Sequence, residues 1–154
     1  MLTISGGPTF EYNNVGLTAA VTQTFTINNT GVFPATSIAD GLTLTPPFRY
    51  LGGTYPGTAA TCNSGPLAGG SSCTIFVEFA PTTTGLHTST ITLDYYDGAN
   101  NQSEPRPIQG TGIEPANIII SETEPFDYGQ RAIGSTTLQT FTLTNNGGVS
   151  TAAM

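Results

Sequence analysis

Apolar and polar residues alternate with a period of two along most of this 154-residue chain. The clearest alternating runs are Cys73–Phe79, Val21–Ile27 and His87–Tyr95. In the first run the odd-numbered residues share one face, and Thr74, Phe76 and Glu78 lie on the other. This is the pattern of a half-buried β-strand. No long window shows the 3.6-residue apolar stripe of a surface helix, so the pattern predicts an all-β protein.

Turn-forming residues divide the pattern into about seven strands within residues 2–113. Gly (19) and Pro (11) are abundant, and regularly spaced turn signals are typical of an immunoglobulin-like antiparallel β-sandwich. The predicted strands are 2–5, 21–27, 33–39 with a continuation at 42–44, 48–51, 73–79, 87–95 and 106–112. A short segment at 10–12 should end in a turn at Asn13 and Asn14, and a widened polar hairpin loop should follow Asp97. The predicted core residues are Phe25, Ile27, Leu44, Ile75, Val77, Phe79, Ile91 and Leu93.

Residues 52–72 form a predicted loop that is unusually long for a compact domain. Of the two cysteines in the chain, Cys62 lies inside this loop and Cys73 opens the next strand. A Cys62–Cys73 disulfide would hold the loop, and it would stabilise the fold by roughly 3 kcal/mol in the chain-entropy model. Two free thiols are the alternative. A zinc site would need more ligands than two cysteines and the distant His87 supply.

The charge composition excludes several classes of partner. The chain has no lysine, and its three basic residues are Arg49, Arg106 and Arg131. Ten acidic residues outnumber them and give a net charge of -7. Such a surface repels nucleic-acid phosphates and anionic lipid head groups. No apolar run approaches the ~20 residues that cross a bilayer. We therefore expect neither nucleic-acid binding nor membrane insertion, and lysine–asparagine isopeptide cross-links cannot form.

The C-terminal segment repeats the N-terminal one at an offset of 116 residues. The matching positions are Phe10 with Phe126, Tyr12 with Tyr128, Gln23–Thr26 with Gln139–Thr142, Asn29 with Asn145 and Gly31 with Gly147. A fixed period of this length indicates tandem domains. The predicted organisation is a complete domain at 1–113, a semi-rigid linker with one proline at 114–116, and an incomplete second repeat at 117–154.

The second repeat would contain only the first strands of a domain, so we expect the sequence to be a piece of a longer protein. Two strands cannot close a sandwich by themselves. The alternating segment Leu138–Leu143 is therefore open to pairing with another copy or another chain as an added strand. The alternatives are packing on the first domain and disorder.

Several motifs occur along the chain in a fixed order. They are Phe10-Glu11-Tyr12, Gln23 to Gly31, Cys62 with Leu67, Gly70 and Ser72-Cys73-Thr74, then Val77, Phe79-Ala80-Pro81 and Gly85, and finally Gln109-Gly110-Thr111-Gly112. This ordered set resembles the bacterial choice-of-anchor D domains, relatives of the abnormal-spindle and hydin (ASH) group of immunoglobulin-like domains. One departure is Asn13, where the family often has glycine, as the second repeat does at Gly129.

The resemblance implies an extracellular, multi-domain bacterial protein, secreted or attached to the cell surface. Such domains serve as spacers and interaction modules. The family has no shared active site, so the resemblance carries over no catalytic residue and no cofactor.

Candidate catalytic residues are few. His87 is the only histidine, and a triad would need it beside an activated serine or cysteine and a carboxylate. Paired carboxylates for glycoside hydrolysis would be Asp94 with Asp97, or Glu122 with Glu124. Nothing in the sequence predicts the desolvation that raises one carboxyl pKa, so we expect no enzyme activity.

Two candidate binding sites lie near the predicted 97–105 loop. Asp97, Asn100, Asn101 and Glu104 supply hard oxygen ligands of the kind calcium accepts, although their spacing differs from that of an EF-hand. Tyr95 and Tyr96, with Tyr50 and Tyr55, are candidates for an aromatic face that binds sugars or peptides. Strand alternation requires at least one tyrosine of each pair to point inward.

Three functions follow from these features. The first is a non-catalytic stalk or adhesion spacer made of tandem immunoglobulin-like domains, whose partners are neighbouring repeats. The second is a module that binds a surface glycan or protein ligand through its end loops. The third is a filament subunit that assembles by strand exchange through the C-terminal segment.

Overall fold

The computed structural model describes residues 1–122 and 124–148 of the chain. Thr123 and residues 149–154, which belong to the predicted second repeat, lie outside the described residues. The chain divides into two compact units after Ile113, where the sequence repeat also places the end of the first domain.

The first unit is a sandwich of two four-stranded β-sheets. One sheet has the order β1-β3-β6-β5 and the other has the order β2-β8-β7-β4. The predicted all-β, immunoglobulin-like sandwich is therefore confirmed. The strands are β1 Leu2–Ile4, β2 Phe10–Gly16, β3 Val21–Asn29, β4 Thr36–Asp40, β5 Phe48–Tyr50, β6 Ser72–Phe79, β7 Gly85–Tyr96 and β8 Asn101–Ile113.

The N-terminal segment contributes one strand to each sheet, which gives eight strands instead of about seven. β1 pairs antiparallel with β3, whereas β2 pairs with β8 and runs parallel to it. Gly6 and Gly7 between these strands have φ values of 101° and 71°. Glycine tolerates this backbone region without a Cβ clash, so the chain can leave one sheet and join the other within a few residues.

The predicted turn at Asn13 and Asn14 is wrong, because both residues lie inside β2. The pairing register with β8 shifts between Glu11 and Asn14, which marks a β-bulge. Asn13 has a φ of 59° there, and asparagine is among the few non-glycine residues that adopt this conformation readily. The conformation explains why glycine also suits this position.

Two other predicted boundaries also differ. Residues 42–44 form no strand, although Leu44 is buried in the core. The hairpin loop after β7 is shorter than predicted, because β8 already begins at Asn101, opposite Tyr96. The polar residues 101–105 alternate too weakly in hydrophobicity to reveal this strand.

The predicted core is confirmed, since all eight residues named from the alternation are buried. Burial of each such large side chain stabilises the fold by about 1.5–3 kcal/mol. Aromatic rings extend the core: Phe48 stacks on Phe79 with ring centroids 4.7 Å apart, and the Tyr12 hydroxyl donates to the Val77 carbonyl at 2.9 Å. Further core residues are Leu2, Ile4, Val15, Ile38, Tyr50, Tyr95 and Ile108.

The long loop between β5 and β6 is attached to the sandwich by a disulfide. Cys62 and Cys73 are bonded with their Cα atoms 4.9 Å apart, so the free-thiol alternative is wrong. Ala35 and Leu67 form an isolated antiparallel bridge that holds a second point of the loop. The loop is therefore part of the folded unit despite its lack of regular strands.

The second unit repeats the local structure of the beginning of the first. Its strands are β9 Ile118–Ile120 and β10 Leu143–Asn145, which pair antiparallel. Ile118 lies opposite Asn145, as Leu2 lies opposite Asn29, so the register is the same at the 116-residue offset.

The contacts between aromatic side chains are also equivalent at the 116-residue offset. The Phe126 ring lies 5.0 Å from Tyr128 and 5.4 Å from Phe141. In the first unit the Phe10 ring lies 5.0 Å from Tyr12 and 5.1 Å from Phe25. Gly129 has a φ of 64°, close to the 59° of its counterpart Asn13. The described residues of the second unit thus share their local geometry with the beginning of the first unit.

Candidate functional site

His87 is tied to a turn of the first unit. Its Nε2 lies 3.0 Å from the Thr83 carbonyl oxygen, and its ring centroid lies 5.9 Å from that of Phe79. Within residues 1–122 and 124–148, no group of three or more His, Cys, Asp or Glu side chains lies close enough together to hold a metal ion. The contacts of His87 with Thr83 and Phe79 thus point to a structural role for this side chain.

Asp97 caps the hairpin that joins β7 to β8. Its Oδ1 accepts hydrogen bonds from the amides of Ala99 and Asn100, both at 2.8 Å, and its Oδ2 accepts one from Gln102 at 2.9 Å. The bonds from Asn100 and Ala99 lower the pKa of Asp97. A general acid needs a raised pKa, so Asp97 is poorly suited to act as one beside Asp94.

The four candidate calcium ligands do not share one face. Asn101 and Glu104 are three residues apart on β8, and side chains at odd spacings on a strand point to opposite faces. Asn101 is exposed, whereas Glu104 is half-buried. Calcium binding by Asp97, Asn100, Asn101 and Glu104 remains a prediction that this arrangement does not favour.

Tyr95 and Tyr96 do not form a common aromatic face. Tyr95 is 5% exposed, and its hydroxyl accepts a hydrogen bond from the Leu2 amide at 3.0 Å. Tyr96 is 39% exposed on the other side of β7. The candidate ligand face of two tyrosines therefore reduces to Tyr96, because alternation along the strand separates the pair.

Tyr50 and Tyr55 pack against each other in the first unit. Their rings are perpendicular, with centroids 5.3 Å apart, and the Tyr50 hydroxyl donates to Asp40 Oδ1 at 2.9 Å. Burial raises the pKa of Asp40 and of Tyr50, and raises that of Tyr55 to about 12. These pKa shifts reflect the packing of Tyr55, a residue of the long loop, against Tyr50, whose hydroxyl is bonded to Asp40.

The second unit has an open apolar groove that was not predicted from the sequence. It has a volume of about 470 Å³. We define the groove by its lining residues, Ile120, Ser121, Glu122, Glu124, Phe126, Phe141 and Leu143. Glu122 and Glu124, considered above as a catalytic pair, are thus brought to one groove.

The groove exposes residues whose counterparts in the first unit are in the core. Phe141 and Leu143 are 42% and 50% exposed, whereas Phe25 and Ile27 are fully buried. Ile120 is 55% exposed, and its counterpart Ile4 is 3% exposed. The sequence feature that could have predicted these exposed residues is the repeat. It places residues of the core type in a unit that has few strands among its described residues.

The described residues contain no helix of the length and hydrophobicity that a membrane-spanning segment requires.

No protein-family model matches this chain, and no curated protein matches it. Solved structures are similar in fold. One is the ASH/PapD-like domain 7 of human CEP192, with 11% identity, a TM-score of 0.53, and coverage of 74% of this chain and 86% of that one. Another is the VesB protease of Vibrio cholerae, with 17% identity, a TM-score of 0.53 and coverage of 71% of this chain.

The likeness to the CEP192 domain supports an immunoglobulin-like fold of the ASH type. The chain spans only 31% of the length of VesB, so that protease contains much that has no counterpart here. Fold similarity at such low identity carries no activity with it.

Proposed function

We propose that this chain is a non-catalytic tandem immunoglobulin-like module of the choice-of-anchor D type, acting as a stalk or adhesion spacer in a bacterial cell-surface or secreted protein. The observation that carries the proposal is the structural repeat: β9 and β10 pair in the register of β1 and β3 at an offset of 116 residues. A chain that repeats one fold at a constant period is organised as an array of domains.

The connection between the units supports a spacer. Only four residues, 114–117, separate the end of β8 from the start of β9, and one of them is Pro115. A short connection with a proline restricts backbone freedom more than a long glycine-rich one. Successive domains in such an array would add length in a regular way.

The disulfide supports an extracellular location. Cys62 and Cys73 are bonded, and disulfides persist in oxidising compartments and are rare in the reducing cytosol. The absence of lysine and the net charge of -7 keep such a surface from adhering to nucleic acids and anionic membranes. Both features suit a module that separates other domains outside the cell.

Small-angle X-ray scattering on proteins with one, two and three complete repeats tests the spacer function. We expect the maximum dimension to rise linearly with repeat number. A matched control series carries an insertion of about ten Gly and Ser residues between Pro115 and Ala116. The maximum dimension of these control proteins should rise more slowly with contour length, as it does for a flexible chain. Identical scaling of the two series would contradict the proposal.

A further inference from the structure

The outer face of the sheet that contains β4, β7 and β8 carries a polar pocket. Its volume of about 440 Å³ lies within the range of small-molecule binding sites. We name it the sheet pocket and define it by its lining residues, Ser37, Asp94, Tyr95, Asn101, Gln102 and Ser103. All six belong to β4, β7 and β8, so the pocket lies within the first unit.

Strand pairing places four different side chains next to one another at this pocket. Asp94 lies opposite Ser103, and Tyr96 lies opposite Asn101. Residues directly opposite in an antiparallel pair share a face, with Cβ atoms about 4.5–5.5 Å apart, and residues two apart on a strand share it too. All four residues are exposed. A carboxylate, a hydroxyl, an amide and an aromatic ring thus occupy adjacent positions on one accessible surface.

Four polar side chains of the sheet pocket make no hydrogen bond among the described residues. They are Ser37, Asp94, Asn101 and Ser103. Neighbouring polar groups are paired instead, since the Gln102 Nε2 donates to Asp97 Oδ2 at 2.9 Å. The unpaired groups converge on one concave surface, where they are available to a ligand.

Gly41 leaves the room that the Asp94 carboxylate occupies. A Cβ atom at this glycine would lie 2.5 Å from Asp94 Oδ1 and 2.6 Å from Asp94 Cγ. The Gly41 amide donates to the Thr92 carbonyl at 2.8 Å, which holds the glycine beside β7. An alanine at this position would therefore displace the carboxylate and leave every group of the pocket present.

The groups of the sheet pocket match a ligand with several hydroxyls. A carboxylate only accepts hydrogen bonds, a primary amide both donates and accepts, and a serine hydroxyl also does both. Adjacent sugar hydroxyls can donate to the two oxygens of one carboxylate, and such charge-assisted bonds are stronger than neutral ones. An exposed tyrosine adds apolar ring surface, which suits the C–H face of a pyranose.

Charge limits the ligand to a neutral one. The carboxylate of Asp94 and the net charge of -7 repel acidic sugars. A basic peptide is also less suitable, because an exposed ion pair contributes only about 0–1 kcal/mol and the other unpaired groups of the pocket are uncharged. The nearby Asp40 is already bonded to the Tyr50 hydroxyl at 2.9 Å.

We propose that the sheet pocket binds a neutral pyranose residue of a glycan. Asp94 accepts hydrogen bonds from two adjacent hydroxyls of the sugar, and Asn101 and Ser103 bond to further hydroxyls. The Tyr96 ring packs on the C–H face. This site lies on a sheet face of the first unit and is independent of the spacer function, because scattering measures domain arrangement and a titration measures the site.

A sugar titration tests the proposal with the full ¹⁵N-labelled chain. The probes are the methyl glycosides of glucose, galactose and mannose, added separately. We expect at least one of them to cause saturable shifts of backbone amides in residues 94–96 and 101–103. The amides of residues 21–29, on the other sheet, should not shift.

Three variants locate the contact. Asp94→Asn should weaken binding of the sugar by about tenfold, since charge-assisted hydrogen bonds become neutral ones, and Tyr96→Ala should weaken it because the ring surface is lost. Gly41→Ala should have an effect similar to that of Asp94→Asn, because it displaces the carboxylate. The matched control is Thr88→Ala, at an exposed position on the same face of β7, which should leave the affinity unchanged.

Three results would overturn the proposal. One is the absence of saturable shifts with all three glycosides up to their solubility limits. Another is an Asp94→Asn variant that binds the sugar as tightly as the wild-type protein. The last is tighter binding of the peptide acetyl-Gly-Arg-Gly-amide at the same backbone amides, which would assign the pocket to a basic peptide.

Discussion

The side chain of Asn29 holds the backbone of Leu67 at the end of the long loop. The Asn29 Nδ2 donates to the Leu67 carbonyl at 2.9 Å and to the Phe33 carbonyl at 2.8 Å, and its Oδ1 accepts from the Gly31 amide at 3.0 Å. Asn29 is 1% exposed, so these bonds lie away from water. One side chain thereby joins the residues that follow β3 to Leu67, which lies 38 residues away in sequence.

We predict that Asn29→Ala lowers the free energy of unfolding by about 2 kcal/mol, because buried hydrogen-bonding groups lose their partner. The matched control is Asn28→Ala, whose side chain is exposed on the other face of β3, and which should change stability by less than about 0.5 kcal/mol. Urea denaturation measures both. Equal effects at the two positions would show that the Asn29 network does not stabilise the fold.

The Cys62–Cys73 disulfide closes the loop between β5 and β6. We predict that the double variant Cys62→Ser, Cys73→Ser lowers the free energy of unfolding by roughly 3 kcal/mol, since the unfolded chain regains loop entropy. Reductant should lower the melting temperature of the wild-type protein and leave that of the double variant unchanged. A wild-type melting temperature that reductant does not move would contradict the prediction.

Gly110 on β8 leaves space for the aromatic core. A Cβ atom at this position would lie 2.7 Å from Phe79 Cε1 and 2.9 Å from Tyr12 Cβ. We predict that Gly110→Ala destabilises the protein by about 1–3 kcal/mol, as overpacked cores do. Ser103→Ala, at an exposed position of the same strand, is the control and should be nearly neutral in chemical denaturation. A neutral Gly110→Ala variant would mean that the rings can move apart.

Buried tyrosines predict a loss of stability in alkali. Burial raises the pKa of Tyr55 to about 12 and also raises the pKa of Tyr12 and Tyr50, whereas an unfolded tyrosine has a pKa of about 10. Between these values the folded state holds protons that the unfolded state releases, so stability falls as the pH rises above about 10.

Urea midpoints at pH 8, 10 and 11 measure this dependence. Tyr55→Phe should make the decline between pH 10 and 11 less steep, since one titrating group is removed. Tyr96→Phe, at an exposed position, is the matched control and should leave the decline as it is in the wild-type protein. The prediction fails if the midpoints are constant across this pH range.

Local alternation was sufficient to predict the centre of the fold. The runs at β3, β6 and β7 and all eight predicted core residues agree with the structure. The reason is that each apolar face is formed by every second residue of one continuous run, so the period of two specifies which side chains point inward. The pairing of Cys62 with Cys73 was also predictable, since the chain has only two cysteines.

Features that depend on distant partners were not predictable in the same way. The parallel pairing of β2 with β8 and the bulge at Asn13 arise from contacts about 100 residues away in sequence. Alternation already separates Tyr95 from Tyr96, but the partner of the Tyr95 hydroxyl, the Leu2 amide, lies on β1, 93 residues away in sequence. Which face of a strand meets a second layer depends on where that layer lies.

The sequence by itself determined the fold class, the core residues and the 116-residue repeat, because each follows from residue order or composition. It offered a single possible cysteine pair, and the structure shows that the two cysteines are bonded. Only the tertiary structure decided that Phe10 pairs with Ile108 of β8 and that its counterpart Phe126 lines an open groove together with Glu122 and Glu124. Equal local sequences give equal local geometry, but burial requires partner strands. Phe25 is therefore buried, whereas its counterpart Phe141 is 42% exposed among the described residues.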